Sequence, residues 1–136
     1  LAILNGSFIF AADLMREIEL SAQISFVKLA SYVGTCSTGS VCEMIGLNVD
    51  ISGRDVVVVE DIVDSGLTMK YVTEMLAKYN PRSISICTLL LKPGNLKVDL
   101  DIPYKCFSIP NDFILGYGLD YDGYGRNTRD IYTVVE

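Results

Sequence analysis

Four consecutive β-branched residues, Val56 to Val59, run into two carboxylates, Glu60 and Asp61, and then into a tight turn opened by Asp64. An unbroken apolar run of this kind predicts a strand buried on both faces, as in a parallel sheet. The strand is read as Val56 to Val59, with Glu60 and Asp61 where it ends. Ser65, Gly66 and Thr68 then lead into a helical pattern. Acid groups and a small-residue turn therefore sit at the carboxyl end of a strand, where open α/β sheets bind their ligands. Amides at the start of the following helix favour a phosphate. Together these features point to a sugar phosphate as ligand.

The chain has 136 residues, half of them hydrophobic, which is enough for one domain with a real core and too apolar for disorder. No apolar run approaches the ~18–20 residues a membrane helix needs, so no membrane partner is expected. Leu1 to Leu4 carry neither an initiator Met nor the basic start of a signal peptide, and read as the interior of a longer protein. The net charge is -6, from 17 acidic and 11 basic residues. A nucleic-acid partner would want a basic stripe, and the sequence has none. An acidic protein that binds phosphates needs a divalent metal to offset repulsion. Cys36, Cys42, Cys87 and Cys106 form no C-x-x-C pair and read as reduced thiols of a cytoplasmic protein. With no His in the chain, acid–base steps fall to Asp, Glu, Lys or Tyr.

Along the chain, Leu1–Leu4 reads as a strand and Asn5-Gly6-Ser7 as a turn. Phe8 to Leu20 reads as a helix with Phe8, Ala11, Ala12, Met15 and Ile18 on its core face. Ile24–Ala30 reads as a strand, Tyr32–Ser40 as a mobile loop rich in Gly, Ser and Thr, and Val41–Val49 as an extended arm. Leu67–Tyr79 reads as a helix with Val72, Met75, Leu76 and Tyr79 inward, stopped at Asn80-Pro81. Ile84–Leu91 is a second buried strand, closed by Lys92, Pro93 and Gly94. Lys105–Ile109 and Ile131–Val135 are short strands around a structured loop, Asn111–Arg129. The order predicts a single α/β domain with a mostly parallel, twisted sheet, flanking helices and right-handed crossovers.

The run E-D-I-V-D-S-G-L-T after a hydrophobic strand resembles the phosphoribosyl pyrophosphate (PRPP) motif of type I phosphoribosyltransferases, and more narrowly that of the hypoxanthine (guanine) enzymes. Further segments resemble the same family in the same order: L-N-G-S-F-I-F-A-A-D-L, K-L-A-S-Y followed by S-T-G, L-L-L-K-P, I-P-N-D-F-I-L-G-Y-G-L-D-Y and G-R-N. The resemblance implies roles for residues. Glu60 and Asp61 would accept hydrogen bonds from the ribose hydroxyls, as acceptor-only carboxylates can. Asp64, Ser65, Gly66, Leu67 and Thr68 would wrap the 5-phosphate; an ordinary helix N-cap by Asp64 or Ser65 is the bland alternative. Asp64 would also face purine N7 and handle its proton.

Lys92 would donate to O6 and so select 6-oxopurines, or would merely snorkel from the strand end. Phe113 would stack on the base and the Ile114 backbone would read its edge. Asp120 would lie at the purine and metal end, reaching Mg2+ through water together with Glu60 and Asp61. Arg126, with Asn5 and Gly6, would contact pyrophosphate; many relatives carry Lys where this chain has Asn5. Ser31 and Tyr32 would begin the catalytic loop that closes over the reaction.

The implied fold is a type I phosphoribosyltransferase domain over residues 1–136 with a mobile catalytic loop and a partial hood, a family segment before the first strand being absent from this chain. The implied activity is magnesium-dependent purine salvage: hypoxanthine or guanine plus PRPP to IMP or GMP plus pyrophosphate. The implied assembly is a homodimer or homotetramer. Xanthine as the base, a non-enzymatic PRPP-binding regulator and an unrelated doubly wound domain are the rival readings.

Overall fold

The computed structural model of the chain describes residues 1–31 and 41–135. The elements run β1 (Ala2–Leu4), α1 (Phe8–Glu17), β2 (Phe26–Ser31), β3 (Val41–Ile45), β4 (Asp55–Val63), α2 (Leu67–Ala77), β5 (Ser83–Leu91), a single 3-10 turn (Pro93–Asn95), β6 (Tyr104–Ser108), β7 (Ile114–Leu115) and β8 (Tyr132–Thr133). Six strands form one sheet in the order β3-β2-β1-β4-β5-β6, and β7 and β8 form a separate ribbon. Every pairing in the large sheet is parallel except β2 with β3. The segment read as an extended arm is thus an antiparallel edge strand. Because β1 leads outward to β2 on one side and lies against β4 on the other, the strand order reverses between β1 and β4. That is the switch point at which an open sheet leaves a crevice beyond its strand ends.

Two cores separate along the sheet. Met69, Val72, Met75 and Leu76 of α2 pack with Ile3, Val27, Val56, Val58 and Ile86. Phe10 and Ala11 of α1 pack with Ala2, Val59, Cys87, Leu89 and Leu90. Each helix is the crossover between parallel neighbours, α1 from β1 to β2 and α2 from β4 to β5. The expected fold class, an α/β sheet of mostly parallel strands with flanking helices, is the one observed.

Four local expectations are corrected. β4 does not end at Val59: its ladder with β5 continues through Glu60, Ile62 and Val63, opposite Thr88, Leu90 and Leu91. Nor is it buried on both faces throughout, since Val57 is 41% exposed while Val56 and Val58 are buried. The cluster that α1 forms takes in Val59 and does not reach Val57. The core stripe of α1 is Phe10, Ala11 and Leu14, whereas Phe8 and Ile18 are exposed. Both stripes have helical spacing. Packing on the sheet selects Phe10, Ala11 and Leu14, and at the helix entry buried Ser7 donates its Oγ–H to the Ile3 carbonyl at 2.6 Å. Finally, Tyr79 is exposed because α2 ends at Ala77 and Asn80 turns the chain with φ 55°. The reading of Tyr32–Ser40 as a mobile loop lies outside the described residues.

Candidate active site

The ends of β1 and β4 lie side by side. The turn after β1 starts with a cis Leu4–Asn5 peptide. Gly6 in that turn has no room for a side chain: a Cβ there would stand 2.0 Å from Asp61 Oδ2. The sequence-predicted pyrophosphate turn and ribose carboxylate are therefore in direct contact. Glu60 is 8% exposed, and its Oε1 accepts the Asp61 N–H at 3.1 Å. Burial pushes the Glu60 carboxyl well above the usual carboxylate range, and the neighbouring Asp61 carboxyl pushes it the same way.

A consequence for stability follows. The Glu60 pKa is raised in the folded state, so its contribution is fully present below the unfolded value and is lost as pH rises through the raised one. Glu60→Gln keeps the shape and cannot ionise. It should raise the melting temperature by about 3–5 °C at pH 8, the gain shrinking towards zero near pH 5. Calorimetry at both pH values checks this; equal melting curves at pH 8 would show that Glu60 carries no buried-charge penalty.

The turn after β4 begins with Asp64, whose side chain is 51% exposed. Gly66 is the N-cap of α2 with φ 83° and receives no side-chain cap bond. A Cβ on Gly66 would meet the methyl ends of Leu100 and Val98 at 2.9 Å, contacts that side-chain shifts can relieve, so it is the conformation that favours glycine. Ser65 Oγ accepts the Leu67 N–H at 3.3 Å, a turn bond rather than a cap. Neither alternative capping role falls to Asp64, whose carboxylate turns across the cleft to β5. There Lys92, buried at the strand end, brings Nζ to 3.4 Å from Asp64 Oδ2. Asn95 Nδ2 donates to Asp64 Oδ1 at 2.9 Å and to Asn111 Oδ1 at 2.6 Å. A cleft of about 610 Å³ opens beside them, lined by Asp64, Ser65, Gly94, Asn95, Leu96 and Lys97.

The loop Asn111–Arg129 joins these two halves. Phe113 is exposed and meets Tyr121 edge-on, ring centroids 5.5 Å apart at 86°. Half-buried Ile114 lies in β7 against Thr133, and the Phe113 carbonyl accepts the Val134 N–H at 2.8 Å. Arg126 donates to the Gly118 carbonyl at 2.6 Å and pairs with Asp120 at 3.1 Å. Gly118 in turn rests on the Gly6 carbonyl, 2.3 Å from where a Cβ would stand. Arg126 is thus brought to the Asn5-Gly6 turn at one remove, two of its contacts being within the protein. Asp120 also accepts the Gly123 N–H at 2.9 Å. Among the described residues, no three His, Cys, Asp or Glu side chains converge as metal ligands. Glu60, Asp61 and Asp120 therefore form no protein cage.

Asn95 was not named by sequence reasoning, though it follows the strand-end L-K-P-G directly; Asn111, Gly118 and Tyr121 lie in the segment I-P-N-D-F-I-L-G-Y-G-L-D-Y, where they were given no individual role. Ser31 ends β2, and Tyr32 lies outside the described residues. A second cavity of about 510 Å³ lies against α1, lined by Phe10, Leu14, Leu89, Phe107 and Tyr117 among others. It contains none of the predicted residues. Tyr117 there donates to Asp13, and burial first, then the Asp13 carboxylate, push its hydroxyl up to about 12.

Residues 1–122 match the model of the phosphoribosyl transferase domain, and the chain is a phosphoribosyltransferase. The hypoxanthine-guanine phosphoribosyltransferase of Mycobacterium tuberculosis (strain ATCC 25618 / H37Rv) is 43% identical over 135 residues, 98% of this chain and 67% of that protein. The hypoxanthine phosphoribosyltransferase of Escherichia coli (strain K12) is 45% identical over 120 residues, 88% of this chain and 67% of that protein. The chain thus spans about two thirds of the length of these relatives. The crystal structure of a hypoxanthine-guanine phosphoribosyltransferase from Bacillus anthracis superposes with a TM-score of 0.93 at 44% identity, over 98% of this chain and 79% of that one. A hypoxanthine phosphoribosyltransferase from Trypanosoma cruzi superposes at 0.92 with 37% identity, over 99% and 74%. Within its class the chain belongs to the hypoxanthine-guanine phosphoribosyltransferase family of purine-salvage enzymes.

Proposed function

We propose that this enzyme transfers the phosphoribosyl group of PRPP to N9 of hypoxanthine or guanine, giving IMP or GMP and pyrophosphate, with Mg2+ as cofactor. One observation carries the reading. A buried ammonium, Lys92 Nζ, and a carboxylate oxygen, Asp64 Oδ2, stand 3.4 Å apart where β4 and β5 end. A donor and an acceptor at that separation suit O6 and the protonated N7 of a 6-oxopurine. Glu60 and Asp61, on the same strand, suit the ribose diol.

N9 attacks C1 of PRPP, pyrophosphate leaves with the bonding pair, and the proton the base sheds at N7 passes to Asp64. Lys92 holds O6, Phe113 faces the ring and Ile114 borders its edge. Ser65, Gly66, Leu67 and Thr68 hold the 5-phosphate at the start of α2. Asn5, Gly6 and Arg126 receive pyrophosphate, Arg126 by exchanging its contacts with Gly118 and Asp120 for phosphate oxygens. Mg2+, held by Glu60, Asp61 and Asp120 largely through water, would supply charge neutralisation on the leaving group. Most of the acceleration comes from positioning and fixed electrostatics. We also place the enzyme in the cytoplasm as a homodimer or homotetramer, which light scattering of the purified protein would test.

The base panel tests the chemistry. With PRPP and Mg2+, hypoxanthine and guanine should turn over, and adenine should fall at least ~10³-fold lower in kcat/KM, because its 6-amino group presents donors to Lys92. Comparable use of adenine would overturn the Lys92 assignment. PRPP binding without turnover of any base, xanthine included, would make the protein a regulator.

A further inference from the structure

We infer that Asn95 is a positioning residue for the transfer: it orients the Asp64 carboxylate and ties it to the base-facing segment through Asn111. The inference rests on the phosphoribosyl-transfer reading above and adds a residue to it.

The chain after β5 forms a strap over the turn that follows β4. Pro93 to Asn95 make one 3-10 turn, closed by the Asn95 N–H on the Lys92 carbonyl at 3.1 Å. The Lys97 N–H donates to the Ser65 carbonyl at 2.9 Å. Leu96, Val98 and Leu100 fill the space where Gly66 would carry a Cβ. Asn95 is thereby fixed at both its backbone and its neighbours. Its side chain faces Asp64, and because an ionised carboxylate only accepts, the amide nitrogen must be the atom turned towards it. The two hydrogens on that nitrogen serve two acceptors, Asp64 Oδ1 at 2.9 Å and Asn111 Oδ1 at 2.6 Å.

Asp64 needs such a tether. Its side chain is half exposed, and its other contact is the longer one to Lys92, at 3.4 Å. Lys92 must turn to O6 when a base enters. The Asn95 bond then remains to hold Oδ1, which leaves Oδ2 directed at N7. An amide does this without adding a charge that would compete with Lys92. The Asn111 bond reaches the segment two residues before Phe113, so Asn95 links the acid to the base platform.

The test compares Asn95→Ala, Asn95→Asp, Asp64→Asn and the Asp64→Asn/Asn95→Ala double variant, measuring kcat, both KM values and thermal melting, after wild-type turnover of hypoxanthine is established. Asn95→Ala should lower kcat about tenfold, with KM for PRPP changed less than about twofold and melting within ~2 °C. Asn95→Asp has the same shape but faces Asp64 with a carboxylate, and should lose about 30-fold or more. In the Asp64→Asn background, Asn95→Ala should change kcat by less than about twofold. Wild-type kcat in Asn95→Asp, losses that multiply in the double variant, or an effect confined to KM for PRPP would overturn the inference while leaving the reaction in place. Absence of wild-type turnover would instead overturn the reaction, and this role with it.

Discussion

Asp64→Asn should lower kcat with hypoxanthine by about 10²–10⁴-fold, the range that a positioned acid or base contributes. The substitution keeps the size of the side chain and an oxygen for the Asn95 amide, so the strap and the turn stay in place. What is lost is the ability to take a proton. KM for PRPP should change less than about threefold, because in the proposed reaction the phosphate is assigned to Ser65, Gly66, Leu67 and Thr68 and not to the Asp64 carboxylate. The physical case is the placement of this group. With no His in the chain, and with Glu60 buried against Asp61, Asp64 is a half-exposed carboxylate that faces the buried ammonium of Lys92 across the cleft. Steady-state kinetics on both substrates would decide. Equal falls in kcat/KM for PRPP and hypoxanthine with unchanged kcat would point to a binding role instead of proton transfer.

Gly118→Ala should cost about 3 kcal/mol or more of stability and abolish most activity with it. The residue has φ 101°, a region that L side chains rarely adopt, and a Cβ would stand 2.3 Å from the Gly6 carbonyl oxygen. The obstacle is backbone, so no rotamer relieves it. Moving Gly6 would in turn push on Asp61, whose Oδ2 already occupies the space of a Gly6 side chain. One methyl group would thus separate the loop carrying Arg126 from the Asn5-Gly6 turn and from Asp61. The melting temperature should drop by about 10 °C. Gly53→Ala is the matched comparison: φ is 69°, but nothing lies within 4 Å. It should cost only about 1 kcal/mol. Equal losses in the two variants would mean that conformation alone, and not the Gly6 contact, sets the cost at Gly118.

Much of this molecule was legible along the chain. Val56–Val59 followed by Glu60, Asp61 and the Asp64–Thr68 turn marked a strand, an acid pair and a helix start; the helix does start at Leu67, but the strand runs on past the acid pair to Val63. Lys92 was legible because a charged residue directly after Ile84–Leu91 must emerge at a strand end. These are local facts. Backbone alternation, β-branching, turn chemistry and helix stops act between near neighbours, so the amino-acid order alone determines them.

The tertiary structure decided the rest. Two stripes of α1 had helical spacing, and only its packing on the sheet chose Phe10, Ala11 and Leu14. The length of β4 depended on how far β5 could pair with it. Asn95 meets Asp64 across 31 residues and Asn111 across 16, and Tyr117 meets Asp13 across 104. Gly118 is forced to be glycine by Gly6, which the chain reaches only after the whole sheet is built. Such contacts have no period and no local signal. They exist because the reversal of strand order between β1 and β4 brings distant turns to one crevice, and that reversal is a property of the packed sheet rather than of any segment in it.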